Sequence, residues 1–333
     1  MNKIDLKISD GLSTAVVGKF TDPDVTANGE RRASVALRKL ETLWINTGTL
    51  CNIECVNCYM ESSPTNDRLT YISAPEVTAF FDEIEAQKLG TREIAFTGGE
   101  PFMNPDFLTM LSNALECGYD VLVLTNAMQP MQRPRIKKGL LALKARFAKQ
   151  LTLRVSLDHY GQEFHEIERG PRTWQKTLDG LDWLSAEGFQ VAIAGRTCWG
   201  ETEAQSRAGF AKLIETNNWP IDPQNRSQLV LLPEMDEKVD VPEITTACWG
   251  LLNISPDDIM CATSRMVVKR KGAAKPTVVP CTLLPHNTAF EMGATLEDAL
   301  TVDGGMFDRG AVKLCHPHCS KFCVLGGGSC TGS

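Results

Sequence analysis

Residues 51–58 read Cys51-Asn-Ile-Glu-Cys55-Val-Asn-Cys58, which places three thiols in the spacing C-x3-C-x2-C. Thiols four and seven residues apart do not share one face of a strand, and three thiols this close together fit a loop that wraps around a small group. Iron–sulfur clusters normally take four Cys ligands, and three would leave one iron of a four-iron cube open. A structural zinc site would need a fourth ligand close by, and no further Cys or His lies within ten residues.

The composition limits the classes of protein that need to be considered. The chain has 333 residues, of which 43% are apolar, enough for one large domain and a smaller one. The net charge of −7 disfavours nucleic-acid binding, which needs a basic excess. No run of 18 apolar residues indicates a membrane span, and residues 1–10 lack a signal peptide's apolar stretch. Twelve cysteines without an export signal indicate metal binding rather than disulfides, and predict a reducing, cytoplasmic location.

Apolar periodicity predicts six strands separated by helices. The strands are expected at 42–46, 93–97, 120–124, 151–157, 190–194 and 228–232, and the helices at 73–90, 105–117, 134–149, 173–186 and 203–217. This alternation is typical of parallel β/α units with right-handed crossovers, which predicts an α/β fold that curls into an open or partial barrel. An acidic, Pro-bounded stretch at 233–242 suggests three parts: an N-terminal arm at 1–41, the barrel at 42–240 and a cysteine-rich domain at 241–333.

Polar motifs follow four of the predicted strands, at the end where such folds carry out their chemistry. They are Thr97-Gly98-Gly99-Glu100-Pro101, Thr125-Asn126, Ser156-Leu157-Asp158 and Gly195-Arg196-Thr197. Paired glycines let the backbone approach a ligand closely, and carbonyls with a carboxylate suit an ammonium group. A guanidinium can bind a carboxylate through two parallel hydrogen bonds. The alternatives are an ordinary turn at 98–99, a cap at Asn126, and a salt bridge from Arg196 to Glu201 or Glu203.

The cysteine spacing and these motifs together resemble the radical S-adenosylmethionine (SAM) superfamily. The resemblance implies a partial (β/α)6 barrel in which a 4Fe–4S cluster on Cys51, Cys55 and Cys58 binds SAM through its open iron. An electron from the cluster then splits a carbon–sulfur bond of SAM, and the 5′-deoxyadenosyl radical takes a hydrogen atom from the substrate. A non-catalytic electron carrier is the alternative, but it would leave the motifs at 97–101, 156–158 and 196 without a purpose.

The resemblance also implies roles for single residues of the site. Gly98, Gly99 and Glu100 would hold the SAM amino group, Asn126 would lie near SAM, Ser156 and Asp158 would bind the ribose, and Arg196 would bind the carboxylate. Asn57 stands where relatives often have an aromatic residue, so the adenine contact is assigned to Tyr59. The candidates for contact with substrate or for hydrogen donation are His159, His165 and Cys198, each with a purely structural role as the alternative. His165, Arg169 and Gly170 are similar to the H-x-x-x-R-G stretch of these enzymes.

A second set of cysteines lies near the C-terminus: Cys248, Cys261, Cys281, Cys315, Cys319, Cys323 and Cys330. Two hairpins are predicted before it, at 252–260 and 266–280. The set is similar to the SPASM/Twitch extension, a C-terminal auxiliary-cluster domain with one or two further 4Fe–4S clusters. Seven thiols are too few for two all-Cys clusters, so one is expected, on Cys261 and Cys281 with two of Cys319, Cys323 and Cys330. Two clusters that use an open iron or His316 or His318, or a zinc site, are the alternatives.

The substrate is expected to be a small metabolite or cofactor precursor. The reason is that about 40 residues precede the first strand, too few for the peptide-recognition domain of many relatives. The alternative is a maturase of ribosomally made peptides that works with a separate recognition protein. The reductant is expected to be an acidic flavodoxin or ferredoxin that docks on the basic residues of 133–149 or 265–271. Nucleic acid and membrane are not expected partners.

Overall fold

The computed structural model describes residues 18–197, 199–233 and 240–327. Its strands are β1 (Ser34–Val35), β2 (Thr42–Asn46), β3 (Glu93–Thr97), β4 (Asp120–Thr125), β5 (Leu151–Ser156), β6 (Gln190–Arg196), β7 (Leu229–Leu232), β8 (Ser264–Val268), β9 (Thr277–Val279), β10 (Phe307–Asp308) and β11 (Ala311–Lys313). Its helices are α1 (Ala74–Gln87), α2 (Phe107–Glu116), α3 (Gln129–Gln132), α4 (Pro134–Phe147), α5 (Gln162–Arg169), α6 (Trp174–Ala186), α7 (Glu203–Asn217), α8 (Cys248–Leu252) and α9 (Leu296–Thr301).

Strands β2 to β7 form a parallel sheet in which each strand lies beside the next one along the chain. The central strands are buried on both faces, as in Leu43–Ile45 and Ile94–Phe96, because helices cover the outside and polar site residues enter only at the strand ends. The prediction of an α/β fold with a parallel sheet is confirmed, and the predicted strand bounds agree to within two residues. Within the described residues the sheet is open, with β7 and β9 at its edges.

Helix α1 shows how local sequence positions these elements. Ser73 and Glu76 form the predicted capping box, in which the Ser73 amide donates to the Glu76 carboxylate at 2.9 Å. Val77, Phe80, Phe81 and Ile84 form the buried face. The helix ends three residues before Gly90, at Gln87, and Lys88 adopts the left-handed conformation there with φ of 53°.

The cysteine-rich region continues the main sheet. Strand β8 pairs in parallel with β2, and β9 pairs with β8 antiparallel, so the sheet runs β7-β6-β5-β4-β3-β2-β8-β9. The hairpin expected at 266–280 is present as β8 and β9, with Met266 opposite Val279. The hairpin expected at 252–260 is wrong: this stretch holds the end of α8 and two 3₁₀ turns, because Pro256 starts a turn capped by Ser255. The domain division at 240 stays a prediction.

The N-terminal segment is attached to the C-terminal region. Strand β1 pairs with β11, which pairs with β10, in a separate three-stranded sheet. Arg32 forms an ion pair with Glu243 at 2.6 Å, and both side chains are buried. The described part of the chain includes no helix that is both long and apolar enough to cross a bilayer.

Candidate active site

A cleft opens at the carboxyl ends of β2 to β6, and the three thiols of the cysteine loop line it. Cys51 is buried, while Cys55 and Cys58 are partly exposed. Burial raises the pKa of the Cys51 thiol to about 12 and that of Cys55 to about 11. Both thiols are therefore protonated at neutral pH until a metal displaces the proton. The loop can thus supply three thiolates to one object held in the cleft.

No fourth protein ligand completes this set among the described residues. The described lining of the cleft contains no further thiol, no imidazole and no carboxylate. In the same part of the chain, no group of three or more Cys, His, Asp or Glu side chains converges closely enough to hold a single metal ion. A cube of four irons spreads its ligands over separate corners, so three thiols around one cleft fit it with one iron left open.

Gly98 and Gly99 line the cleft, but their main role is to let two loops approach each other. A Cβ on Gly99 would lie 2.1 Å from the Leu50 carbonyl oxygen, and a Cβ on Gly98 would lie 2.5 Å from that of Gly48. The Gly99 amide donates to Gly48 at 2.7 Å. Because Gly98 and Gly99 have no side chain, the end of β3 can pack closely against the segment that leads into Cys51 and hold it.

The carboxylate of Glu100 is not among the groups that line the cleft. It is buried, and it accepts hydrogen bonds from Thr125 Oγ1 at 2.9 Å and from the Asn126 amide at 2.8 Å. Burial raises its pKa to about 7. Glu100 therefore ties the end of β4 to the glycine turn. Its assignment to the SAM amino group stays a prediction.

Asn126 lines the cleft beside the cysteine loop, and its contact with SAM stays a prediction. Its Nδ2 donates to Asn52 Oδ1 at 2.9 Å and lies 3.9 Å from Cys51 Sγ, while its Oδ1 caps the Met128 amide at 3.0 Å. Asn126 is thus both a cap, the alternative considered from sequence, and a contact to the first thiol. Tyr59 also lines the cleft.

Asp158, Arg169 and Arg196 form a charged cluster at the cleft. Arg169 donates to Asp158 at 2.6 Å through Nε, and Arg196 approaches the other oxygen of Asp158 at 3.3 Å. Burial alone would raise the pKa of Asp158, but the two guanidinium groups hold it below its ordinary value. Both arginines and Ser156 line the cleft, whereas Asp158 lies behind them. Arg196 pairs with Asp158 rather than with Glu201 or Glu203.

Arg169 is a charged cleft residue to which sequence reasoning gave no role of its own. Its only signal was the Arg-Gly pair after His165, and nothing local indicates that α5 turns its last side chain toward the thiols. Glu168, one residue earlier, was missed altogether. It is buried and contacts the turn between Cys55 and Cys58.

The two candidate histidines do not line the cleft. His159 is buried, stacks on Tyr160 at 4.0 Å and accepts a hydrogen bond from the Gly161 amide at 2.8 Å. His165 is fully buried against Trp174, and burial lowers its pKa to about 4, so the ring is neutral. These surroundings favour structural roles for both, and substrate contact stays a prediction. Cys198 lies outside the described residues.

The C-terminal thiols form a second site. Four of them, Cys261, Cys281, Cys319 and Cys323, line one small apolar cavity. Burial raises the pKa of Cys319 well above its ordinary value, and the nearby thiols of Cys281 and Cys261 add to this. The structure therefore brings together all the described members of the predicted ligand set. Cys330 lies outside the described residues. No disulfide bond joins any of the ten described cysteines.

Comparison with known families bears on the first site, the cleft with Cys51, Cys55 and Cys58. The model of the radical SAM superfamily matches residues 45–205, from β2 into α7. This part of the chain is a radical SAM domain. Its family uses a 4Fe–4S cluster and SAM, and the three cleft thiols provide the donor set that such a cluster needs.

Curated relatives of the radical SAM domain fall into more than one functional class. The antilisterial bacteriocin subtilosin biosynthesis protein AlbA of Bacillus subtilis is 30% identical over 145 residues, 43% of this chain and 30% of AlbA. A probable GTP 3′,8-cyclase of Methanocella arvoryzae is 33% identical over 156 residues, 46% of each chain. These matches span less than half of the length of either relative.

Among solved structures, SuiB of Streptococcus suis bound to S-adenosylmethionine has a similar fold. Its TM-score is 0.55 at 13% identity, over 78% of this chain and 64% of SuiB. The likeness extends beyond the radical SAM domain, because that domain makes up less than half of the present chain. SuiB has also been solved with the precursor peptide SuiA bound.

Proposed function

We propose that the chain is a radical SAM enzyme that abstracts a hydrogen atom from a peptide substrate. The observation that carries the enzymatic part is the cleft with three thiols and no fourth described ligand at the carboxyl end of the sheet. When bound, the cluster and SAM supply a 5′-deoxyadenosyl radical for hydrogen abstraction. The protein then has to bind, orient and shield these groups.

The cleft residues offer complementary groups for SAM. The amides of Gly99 and Glu100 donate hydrogen bonds to carbonyls of the segment that leads into Cys51. Carbonyl oxygens are therefore the backbone groups left to accept a hydrogen bond from an ammonium group. Arg169 and Arg196 line the cleft on the other side, where a guanidinium can hold a carboxylate. Ser156 and Asn126 offer further hydrogen bonds, and Tyr59 offers a ring for the adenine. Asp158 keeps the two arginines in place rather than reaching the ribose itself.

An auxiliary 4Fe–4S cluster on Cys261, Cys281, Cys319 and Cys323 belongs to the same proposal. What supports it is that the four thiols share one apolar cavity, although they belong to three separate segments of the chain. Such a cluster would take up an electron from the substrate radical or brace the fold. The apolar surroundings would shield it from water, and solvent access is one of the factors that set its potential.

Two observations support a peptide rather than a small metabolite. AlbA is named for bacteriocin biosynthesis, and the fold likeness to SuiB, which binds a precursor peptide, covers 78% of the chain. The similarity to GTP 3′,8-cyclases, limited to 43–46% of the chain, favours a small-molecule substrate and is the second candidate. We also propose a flavodoxin or ferredoxin reductant and a reducing cytoplasm.

The test is anaerobic reconstitution with iron and sulfide, reduction with dithionite, and measurement of 5′-deoxyadenosine released from SAM. Cys51→Ala is expected to abolish the product, whereas Cys281→Ala is expected to remove the auxiliary iron and leave SAM cleavage. Intact clusters without 5′-deoxyadenosine would refute the enzyme and favour an electron carrier. If GTP speeds the release of 5′-deoxyadenosine and is itself consumed, the substrate is a small molecule rather than a peptide.

A further inference from the structure

The turn between Cys55 and Cys58 is held by one residue of α5, Glu168. The Val56 amide donates to the Glu168 carbonyl at 2.8 Å. Asn57 donates twice to the Glu168 carboxylate, from its backbone amide at 2.9 Å and from Nδ2 at 2.8 Å. Val56 and Asn57 are the two residues between the second and third thiols, so three hydrogen bonds restrain the whole of that segment.

Glu168 and Asn57 differ in how far they are buried, and this difference indicates what each residue contributes to the contact. Glu168 is 3% exposed, whereas Asn57 lies at the surface. A buried carboxylate needs hydrogen-bond donors or a counter-charge. Glu168 obtains them from the cysteine loop and from Arg196, whose Nη2 lies 3.7 Å from Oε1 of Glu168. The same guanidinium donates to the Asn57 carbonyl at 2.9 Å, so the contacts close into one network beside the cleft.

We propose that Glu168 and Asn57 are a positioning pair that holds the Cys55–Cys58 turn in its cluster-binding shape and places a negative charge beside the cluster. The inference rests on the proposed cluster and not on the substrate. A phenyl ring at position 57 could not donate to a carboxylate, whereas Asn57 donates to one oxygen of Glu168 from its side-chain amide and to the other from its backbone N–H. The departure from the usual motif at 57 and the acid at 168 therefore explain each other.

The consequences follow from how outer-shell groups act on metal sites. Loss of a group that orients a ligand typically costs about 10–100-fold in metal affinity or activity. The reduction potential of an iron–sulfur cluster depends on net charge and on hydrogen bonds around it. A carboxylate fixed behind the turn should favour the oxidised cluster, and its removal should move the potential upward.

The experiment compares Glu168→Ala, Glu168→Gln, Asn57→Ala and the double variant Asn57→Ala/Glu168→Ala with wild type after anaerobic reconstitution. Glu163→Gln is the matched control, because it removes an exposed acid from the same helix. Two quantities are measured: the rate at which a chelator removes iron, and the midpoint potential of the electron paramagnetic resonance signal that changes when SAM is added. The response to SAM assigns the signal to the cluster on Cys51, Cys55 and Cys58.

Glu168→Ala and Asn57→Ala should each speed iron loss about 10–100-fold, and the double variant should be no faster than the worse single one, because the pair acts as a unit. Glu168→Gln keeps the shape and an acceptor oxygen, so it should lose less iron and still show a raised potential. A purely structural role would not move the potential in Glu168→Gln.

The pair is refuted if Glu168→Gln has the wild-type potential, or if the effects of the two alanine variants multiply in the double variant. It is also refuted if Glu168→Ala loses iron at the rate of Glu163→Gln. A wild-type chain that takes up no SAM-responsive cluster would overturn the proposed function itself, and with it this inference. The two failures are therefore distinguished by the wild-type sample alone.

Discussion

Replacing Gly99 by alanine should displace the loop that carries Cys51. The added Cβ would lie 2.1 Å from the Leu50 carbonyl oxygen, 2.5 Å from its carbon and 2.9 Å from the Thr49 oxygen. All three atoms belong to the backbone, so no side-chain rotation can relieve the clash. The Leu50 carbonyl must retreat by about 1 Å, beyond the range in which packed atoms keep their contact energy.

The magnitude combines overpacking with lost hydrogen bonds. Overpacking in a tight site typically costs about 1–3 kcal/mol. The bonds from the Gly99 amide to Gly48 at 2.7 Å and from the Glu100 amide to Leu50 at 3.2 Å would also weaken, each worth about 1 kcal/mol. We expect a loss of roughly 2–4 kcal/mol, which lowers Tm by about 3–6 °C in a chain of this size.

The assay is thermal unfolding of the apo-protein together with iron and sulfide content after reconstitution. Gly99→Ala should lower Tm and lose the iron that Cys51→Ala also loses, while keeping the auxiliary iron. Gly250→Ala is the control, since a Cβ there meets nothing within 4 Å and Gly250 lies in α8. Wild-type Tm and full iron content in Gly99→Ala would show that the loops need not approach as closely as the structure places them.

Two further predictions concern buried charges. Burial raises the pKa of Glu100 from its ordinary value of 4.5 to about 7, so between these pH values the folded state holds a proton that the unfolded state has released. Apo-protein stability should therefore fall, by up to about 3 kcal/mol, as pH rises from 4.5 through 7, and then level off. Urea titrations at several pH values would measure this, and an equal slope in Glu100→Gln would contradict the assignment. Asp158→Asn should cost about 3–5 kcal/mol, because it removes the carboxylate that Arg169 and Arg196 share and leaves Arg196 only the more distant Glu168. Asp240→Asn, which removes an exposed partner of Lys19, should change stability by under about 1 kcal/mol. Equal denaturation midpoints for these two variants would rule out the buried network.

Much of the fold was predictable because its signals are local. The run Thr42–Asn46, the capping box of Ser73 and Glu76, and the apolar face of α1 each lie within one stretch of chain. Each parallel strand pairs with the next, so chain order alone gives the sheet order of β2 to β7. The place of β8 beside β2 was not predictable, because the pairing joins segments more than 200 residues apart.

Some parts of the candidate site could likewise be predicted from local sequence, and others could not. The cysteine spacing and the glycine pair identify the cleft, because their chemistry is written in consecutive residues. The partners of Glu100 do not follow from its motif, since they are donated by Thr125 and Asn126 on the next strand. The convergence of Cys261, Cys281, Cys319 and Cys323 was expected only in part, because several choices of four among the seven C-terminal thiols fit the same spacing.

The sequence by itself determined the cofactor-binding loop, the alternation of strands and helices, and the edge of the sheet at which the site lies. These follow from side-chain chemistry and from periodicities of two and 3.6 residues, which neighbouring residues specify. Only the tertiary structure decided that Arg169 lines the cleft, that Asp158 stands behind it, and that Glu168 holds a turn 111 residues earlier in the chain. Contacts between distant segments depend on how helices and strands pack. The identity of a single residue does not indicate which distant residue it will contact.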